Sequence, residues 1–515
     1  MMKPPGGTAL RPRDAATLGL PGKVAIMAET TVLPAPLSRV HLVGICGTGM
    51  GTLAGMLAAR GLHVTGSDEN VYPPMSTQLQ RWGIPILEGF AAENLTPERL
   101  GGVPDLVIIG NVCRRTNPEC VAVEQSGLPY MSMPRAVARC FLDGRTSIVV
   151  AGTHGKTTTT ALTGHLLAAA GFDPGVLVGG VVLDFGGSYR LGQGAPFVVE
   201  GDEYDSAYFD KGPKFLHYQP QIAVLTAVEF DHADIFADDL AIDRAFAAFL
   251  ALLPPTGALF VCGDEPRAEG LAKAHARCPV MTYGLGPSAA LRAVDVHFDE
   301  TGVRFRLLRQ GEELGELRSP LAGEHNLRNT LGSLGVLLHQ GASLAQIQEG
   351  LSSFRGIRKR QEVIGEQRGV LVIDDFAHHP TAVRETLRAI RRRYPDRRIW
   401  AVFEAKSNTS RLNVFQDEYT RAFDEADQVI IARPYIKKDS IPPERRLDPG
   451  ELAAQIAARG VPARLIPDVP DIIRTLVAET QPGDLVLGMS GSSFGGLHPR
   501  LVQALYETSP PEVVP

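Results

Sequence analysis

At 515 residues the chain is too long for a single compact core and implies several domains. A net charge of −6 and a pI near 6.1 exclude the basic footprint of a nucleic-acid binder. The composition is that of an ordinary soluble globular protein, and no run approaches the roughly 20 apolar residues a membrane helix requires.

Residues 1–38 are rich in Pro, Gly and Thr, show no amphipathic period and lack an apolar signal core, so a disordered tail and a cytoplasmic protein are expected. The six cysteines include no C-x-x-C pair, which fits free thiols in a reducing compartment. From Arg39 the pattern changes. Short buried strands at Arg39–Val43, Asp105–Ile109 and Ser147–Val150 alternate with helical stretches at Gly51–Arg60 and Thr77–Gly83. A second unit carries strands at Pro196–Val199 and Ile222–Leu225 and a helix around Ala241–Leu252. Val294–Leu308 and Glu313–Arg318 then alternate like antiparallel strands. A third has strands at Val370–Ile373, Arg398–Phe403, Gln428–Ile431 and Asp484–Gly488. This order predicts an α/β protein of three domains with parallel sheets. They divide as a Rossmann-like domain at 39–146, a central P-loop-type domain at 147–353 and a C-terminal Rossmann-like domain at 354–515.

The strongest chemical signal is Gly152-Thr153-His154-Gly155-Lys156-Thr157-Thr158, between a strand and a helix. Backbone N–H groups at such a helix start face phosphates, the lysine reaches the terminal ones and the threonine hydroxyl takes Mg²⁺. The loop is shorter than the usual G-x-x-x-x-G-K-[ST], because Val150 stands where the first glycine would be. Lysine is scarce here, 10 against 41 arginines, and Lys156 is expected in a solvent-facing cradle. Two acidic segments end strands of the same unit, Glu200-Gly-Asp202-Glu203 and Glu229-Phe-Asp231-His232. They offer hard oxygen or imidazole ligands, or are solvated loops.

In the first unit, Gly44-Ile-Cys-Gly47-Thr48-Gly49-Met50-Gly51 follows a strand, and Asp68 ends the next strand 19 residues beyond Gly49. The layout is dinucleotide-like, though spaced G-x-x-G-x-G, and is equally readable as a structural turn. Later, Gly323-Glu-His325-Asn326-Leu-Arg-Asn329 offers amides to an adenine edge or caps a helix. Asp374-Asp375-Phe-Ala-His378-His379-Pro380 is a metal pair, an acid–base site or a cap.

Taken in order from about Arg39 to Leu501, these motifs resemble the Mur ligase family, the ATP-dependent amino-acid and peptide ligases of bacterial peptidoglycan assembly. The resemblance implies Thr157, Glu200 and His232 as Mg²⁺ ligands, Lys156 and Arg360 on the ATP phosphates, Asn326 at the adenine and Asp375 at the ribose. It also implies His378 near the reacting groups, and UDP held by Gly47, Thr48, Gly49, Met50, Ser67 and Asp68. The chain departs from some relatives in having no lysine between His232 and Lys273, where they carry a carbamylated one, and in Thr226 for a frequent Asn.

Glu203-Tyr-Asp205, Phe209-Asp-Lys211 and Asp375-Phe-Ala-His-His379 resemble the branch that recycles wall peptide more than the branch that adds L-alanine, the alternative. That implies transfer of the ATP γ-phosphoryl group to the lactyl carboxylate of UDP-N-acetylmuramate. The α-amine of the tripeptide L-Ala-γ-D-Glu-meso-diaminopimelate then attacks the acyl phosphate. A cationic acceptor pocket is expected from Lys406, Ser407, Asn408 and Arg411. A monomer or weak homodimer is expected.

Overall fold

The computed structural model describes residues 29–73, 75–230, 235–236, 238–407, 409–434 and 441–508. Among them no helix is long and apolar enough to cross a membrane. Three sheets follow one another along the chain. The first contains β1 (Arg39–Val43), β2 (His63–Asp68), β3 (Ile86–Glu88), β4 (Leu106–Ile109) and β5 (Tyr130–Ser132), all parallel, in the order β3-β2-β1-β4-β5. Helix Thr48–Ala59 leaves the carboxyl end of β1, where the glycine-rich turn was expected to open a helix.

The second sheet is built from β6 (Thr146–Ala151), β7 (Gly175–Val182), β8 (Gly187–Arg190), β9 (Pro196–Gly201), β10 (Ile222–Leu225), β11 (Ala258–Cys262), β12 (Val280–Gly284), β13 (Leu291–Asp299), β14 (Gly302–Arg309) and β15 (Glu312–Ser319). Its order is β15-β14-β13-β12-β11-β10-β6-β9-β7-β8, parallel at the centre and antiparallel at both ends. The central strands read as unbroken apolar runs because both faces are covered. Sequence alternation joined Val294–Leu308 into one strand. The chain instead turns at Glu300-Thr301, where Asp299 Oδ1 accepts the Thr301 N–H (2.8 Å) and Gly302 takes φ 133°, so β13 and β14 form a hairpin.

The third sheet holds β16 (Glu362–Gln367), β17 (Val370–Asp375), β18 (Arg398–Glu404), β19 (Gln428–Ile431), β20 (Ala463–Leu465) and β21 (Asp484–Ser490), in the order β16-β17-β21-β18-β19-β20. All neighbours are parallel except β16 with β17. Helix Pro380–Arg393 leaves the end of β17.

The chain ahead of β1 corrects one expectation. Residues 29–38 were assigned to the disordered tail, but Thr30 N–H donates to the Tyr130 carbonyl (2.8 Å) and Tyr130 N–H to the Thr30 hydroxyl (3.1 Å). Glu29 accepts from Ser132 N–H (2.9 Å) and pairs with Arg135 (2.6 Å). The arm extends the free edge of β5, and backbone pairing of that kind leaves no periodic signal in sequence. Residues 1–28 lie outside the described residues.

Candidate active site

The phosphate loop runs from the end of β6 into helix Lys156–Ala169. Two of its glycines are required. Gly152 has φ 137° and a Cβ there would lie 2.1 Å from the Thr226 hydroxyl. Gly155 has φ 82° and a Cβ there would lie 2.3 Å from Asn329 Oδ1. Thr226 donates to the His154 carbonyl (2.5 Å), so the residue that departs from the relatives' Asn still holds the loop. Thr153 and Thr158 are buried in the same turn.

Lys156 does not face solvent. Its side chain is 10% exposed and its Nζ lies 2.8 Å from Glu203 Oε2, whose side chain is 1% exposed. It also donates to the Gly152 carbonyl at 2.6 Å. Burial pulls the ammonium pKa down, but the Glu203, Asp202 and Glu200 carboxylates outweigh it and hold the group above the ordinary lysine value. Glu203 lies in an acidic segment singled out in the sequence, but its role as counter-ion was not foreseen. The signal was an acid two residues beyond a strand-end glycine.

Thr157 donates its hydroxyl to Glu200 Oε1 (2.8 Å), and Glu200 Oε2 accepts from Gly179 N–H (2.6 Å). Burial, then Asp202, raises the Glu200 carboxyl pKa. A hydroxyl and a carboxylate converging at the loop exit are hard oxygen donors and fit Mg²⁺. The third expected ligand, His232, lies outside the described residues.

The third sheet reaches this loop through its entry segment. Val182 bridges to Ile357, and Arg358 N–H donates to the Val181 carbonyl (2.9 Å), so the linker pairs with the end of β7 in the second sheet. Lys359 (φ 60°) and Gln361 (φ 50°) then flank Arg360 in left-handed backbone that neither residue favours. The double turn stacks the Arg360 guanidinium on Phe376 (4.6 Å) and brings Nη2 to 3.3 Å from the Thr157 hydroxyl. Asp375 accepts from Gln361 N–H and Ala377 N–H, each at 2.8 Å, and burial raises its pKa. That carboxylate fixes both the turn and the helix that follows.

A second tie joins the two sheets. Glu229, after β10, accepts the Thr381 hydroxyl (2.8 Å) and lies 3.4 Å from His154 Nε2 and 3.9 Å from His379 Nδ1. Burial pushes its carboxyl up, but the His154, Thr381 and His379 contacts bring it down to about 2. His379 also caps helix Pro380–Arg393, accepting from Thr381 N–H (3.3 Å), so the cap reading of the paired histidines describes this one. His378 points elsewhere, its Nδ1 3.1 Å from the Phe376 carbonyl and its ring beside Gly491. Asn326 is turned inward, donating to the Ala322 carbonyl (2.8 Å), and Asn329 donates to it (3.2 Å).

In the first sheet, Gly47 caps helix Thr48–Ala59, so Thr48, Gly49 and Met50 form its opening turn. Asp68 accepts Cys46 N–H (2.8 Å) and Asn70 N–H (2.9 Å), which closes the glycine turn onto the end of β2. Ser67 is fully buried, its hydroxyl donated to Glu119, a residue the sequence did not single out. Of the expected acceptor residues, Arg411 is buried with its Nε on the Ser407 carbonyl (3.3 Å). Lys406 is partly exposed, and Asn408 lies outside the described residues.

A phosphate loop with a buried lysine, a hydroxyl–carboxylate pair at its exit and an arginine delivered from another sheet is the layout of an α/β enzyme of the nucleotide-using ligase class. Three family models match in succession: "Mur ligase family, catalytic domain" at 39–144, "Mur ligase middle domain" at 150–337, and "Mur ligase, glutamate ligase domain" at 359–492. The chain belongs to the Mur ligase family. It is 38% identical over 91% of its length to the UDP-N-acetylmuramate–L-alanyl-γ-D-glutamyl-meso-2,6-diaminoheptandioate ligase of Escherichia coli K12, 98% of which is covered. It is 37% identical over 88% of its length to the UDP-N-acetylmuramate–L-alanine ligase of Oleidesulfovibrio alaskensis, 96% of which is covered. A crystal structure of a murein peptide ligase from Psychrobacter arcticus superposes with a TM-score of 0.69 at 33% identity, covering 92% of this chain and all of that one.

Proposed function

We propose that this chain is an ATP-dependent ligase that joins the tripeptide L-Ala-γ-D-Glu-meso-diaminopimelate to UDP-N-acetylmuramate. The observation that carries the chemistry is the meeting of Arg360 and Glu200 on the Thr157 hydroxyl, with Lys156 one residue away. The choice of acceptor is supported by the likeness to the E. coli ligase named for that peptide.

A carboxylate is a poor electrophile, and phosphorylation by ATP converts it to a mixed anhydride that an amine can attack. The protein's part is positioning and charge screening around the transferring phosphoryl group. Lys156 and Arg360 approach that group from two sheets, so the full set assembles only when the third sheet is closed on the second. Thr157 and Glu200, with His232, would hold Mg²⁺, which screens charge on the phosphates. Gly47 to Met50 and Asp68 would hold the UDP moiety, with the helix Thr48–Ala59 N-terminus toward the diphosphate. Asn326 would face the adenine and Asp375 the ribose.

The test is a phosphate-release assay with UDP-N-acetylmuramate and ATP, comparing free tripeptide with L-alanine. Release with tripeptide and little with L-alanine is expected. The reverse preference assigns the chain to the L-alanine-adding branch.

A further inference from the structure

We propose that Glu404 is an ammonium-binding subsite, taking the side-chain amine of the diamino acid at the far end of the incoming peptide. The assignment rests on the tripeptide reading above and extends it to a residue that recognises the acceptor.

Glu404 ends β18 and pairs in register with Ser490 of β21. One residue earlier on β21, Met489 pairs with Asp375 of β17. Glu404 therefore stands at the same end of the sheet as Asp375, two strands across, which at ~4.8 Å per strand is about 10 Å. The two carboxylates belong to opposite faces. Alternation groups Asp375 with Ile373, Phe403 and Met489, which share one apolar cluster. It groups Glu404 with Val402 and Trp400, which belong to the cluster on the other side. The sheet end thus separates the nucleotide side from a second side where Glu404 lies.

That carboxylate is held in place. Its Oε2 accepts the Ser490 hydroxyl at 2.6 Å and the Ser492 hydroxyl at 2.9 Å. Both hydroxyl oxygens are fixed in turn, because Ser492 N–H donates to Ser490 (3.1 Å) and Phe494 N–H to Ser492 (3.1 Å). The two serines are neutral donors, so the only cation that acts on the carboxylate among the described residues is Lys359, at Coulomb range and without an ion pair. Lys359 is nearby, but its ammonium donates to the Ser492 carbonyl. Among the described residues no donor occupies Glu404 Oε1, and no lysine, arginine or histidine forms an ion pair with the carboxylate. The same serine turn passes the expected reaction centre, since Gly491 packs beside the His378 ring.

Of the three reactants, ATP and UDP-N-acetylmuramate are anions, and only the acceptor brings ammonium groups. An oriented half-buried carboxylate suits an ammonium and repels the other two reactants. The α-amine must be free to attack, and an ion pair would hold it protonated and unreactive. The diamino acid's second amine has no such duty, and its distance from the attacking end fits a subsite displaced from Arg360 and Asp375.

The experiment compares two acceptors, the tripeptide and its analogue ending in 2-aminopimelate, which lacks only the second amine. Wild type should favour the diamino peptide in kcat/KM by about tenfold or more, as expected of a hydrogen bond to a charged group. Glu404→Gln keeps an amide oxygen for the serines. It should raise KM for the diamino peptide about tenfold and leave KM for the analogue, ATP and UDP-N-acetylmuramate within about twofold. Glu404→Asp, a milder second variant, should lower the preference in the same direction. Equal losses on both peptides, or a preference that survives both substitutions, overturn the assignment. Turnover of L-alanine and neither peptide overturns the functional reading itself, and the subsite with it.

Discussion

Replacing Lys156 by Met tests the burial of the phosphate-loop lysine. The side chain keeps its length and loses its charge, which leaves the Glu203 carboxylate, 1% exposed, without the ammonium 2.8 Å away. At that separation and an effective dielectric near 20, the Coulomb attraction is roughly 6 kcal/mol. Breaking a buried pair by removing one partner costs about 3–5 kcal/mol, because the survivor is stranded. Lys156→Met should therefore destabilise the second sheet by ~3 kcal/mol or more as well as stop catalysis. Lys156→Met/Glu203→Gln removes both charges and should regain most of that stability while remaining inactive. Both tryptophans lie outside the second sheet, and Trp82 touches only its far edge, edge-on to Tyr189 of β8 (5.7 Å), so fluorescence does not read β6 and β9 themselves. Hydrogen–deuterium exchange of peptides spanning β6 and β9 reads it directly. Wild-type protection in Lys156→Met, or equal loss in the single and double variants, would refute a buried, mutually dependent pair.

Three further predictions concern other parts of the molecule. Arg360→Ala should lower kcat for phosphate release by about a hundredfold or more, with little change in KM for UDP-N-acetylmuramate, since a phosphoryl-screening cation is worth roughly 3 kcal/mol; a near-normal kcat would remove Arg360 from the site. Asp374 is held by burial at about 7, above its ordinary 3.8, despite Lys359 and beside a His498 that burial keeps down at about 4. A raised carboxyl pKa contributes stability in full below pH 4 and loses it as pH rises to about 7, so Asp374→Asn should stabilise the third sheet by on the order of 1–4 kcal/mol above pH 7, with the gain fading toward pH 4. Urea midpoints followed by Trp400 emission check this, and a pH-independent difference contradicts it. A chain starting at Met27 keeps Glu29 and Thr30 and should match full-length turnover, whereas one starting at Arg39 should lose protection in β5; equal protection in both would show that the arm is dispensable.

Local sequence determined much of this protein. Short β-branched apolar runs that end in glycine, such as Ile148-Val-Val-Ala151, read as strands covered on both faces, and the glycines around Lys156 read as a tight turn into a helix, because chain stiffness and alternation act over a few residues. The fold class, the phosphate loop and the family resemblance were legible for that reason. Tertiary structure decided what depends on residues far apart in the chain. Lys156 is buried because Glu203, 47 positions away, comes to meet it. Arg360 reaches Thr157 across 203 positions because two left-handed residues turn the linker. Glu29 and Thr30 are held because the edge of β5, about 100 residues on, supplies hydrogen bonds that no periodicity announces. Glu404 and Ser490, 86 positions apart, become partners only through strand register. Charge pairing and burial are properties of the folded neighbourhood, and a sequence names the groups without saying which of them will meet.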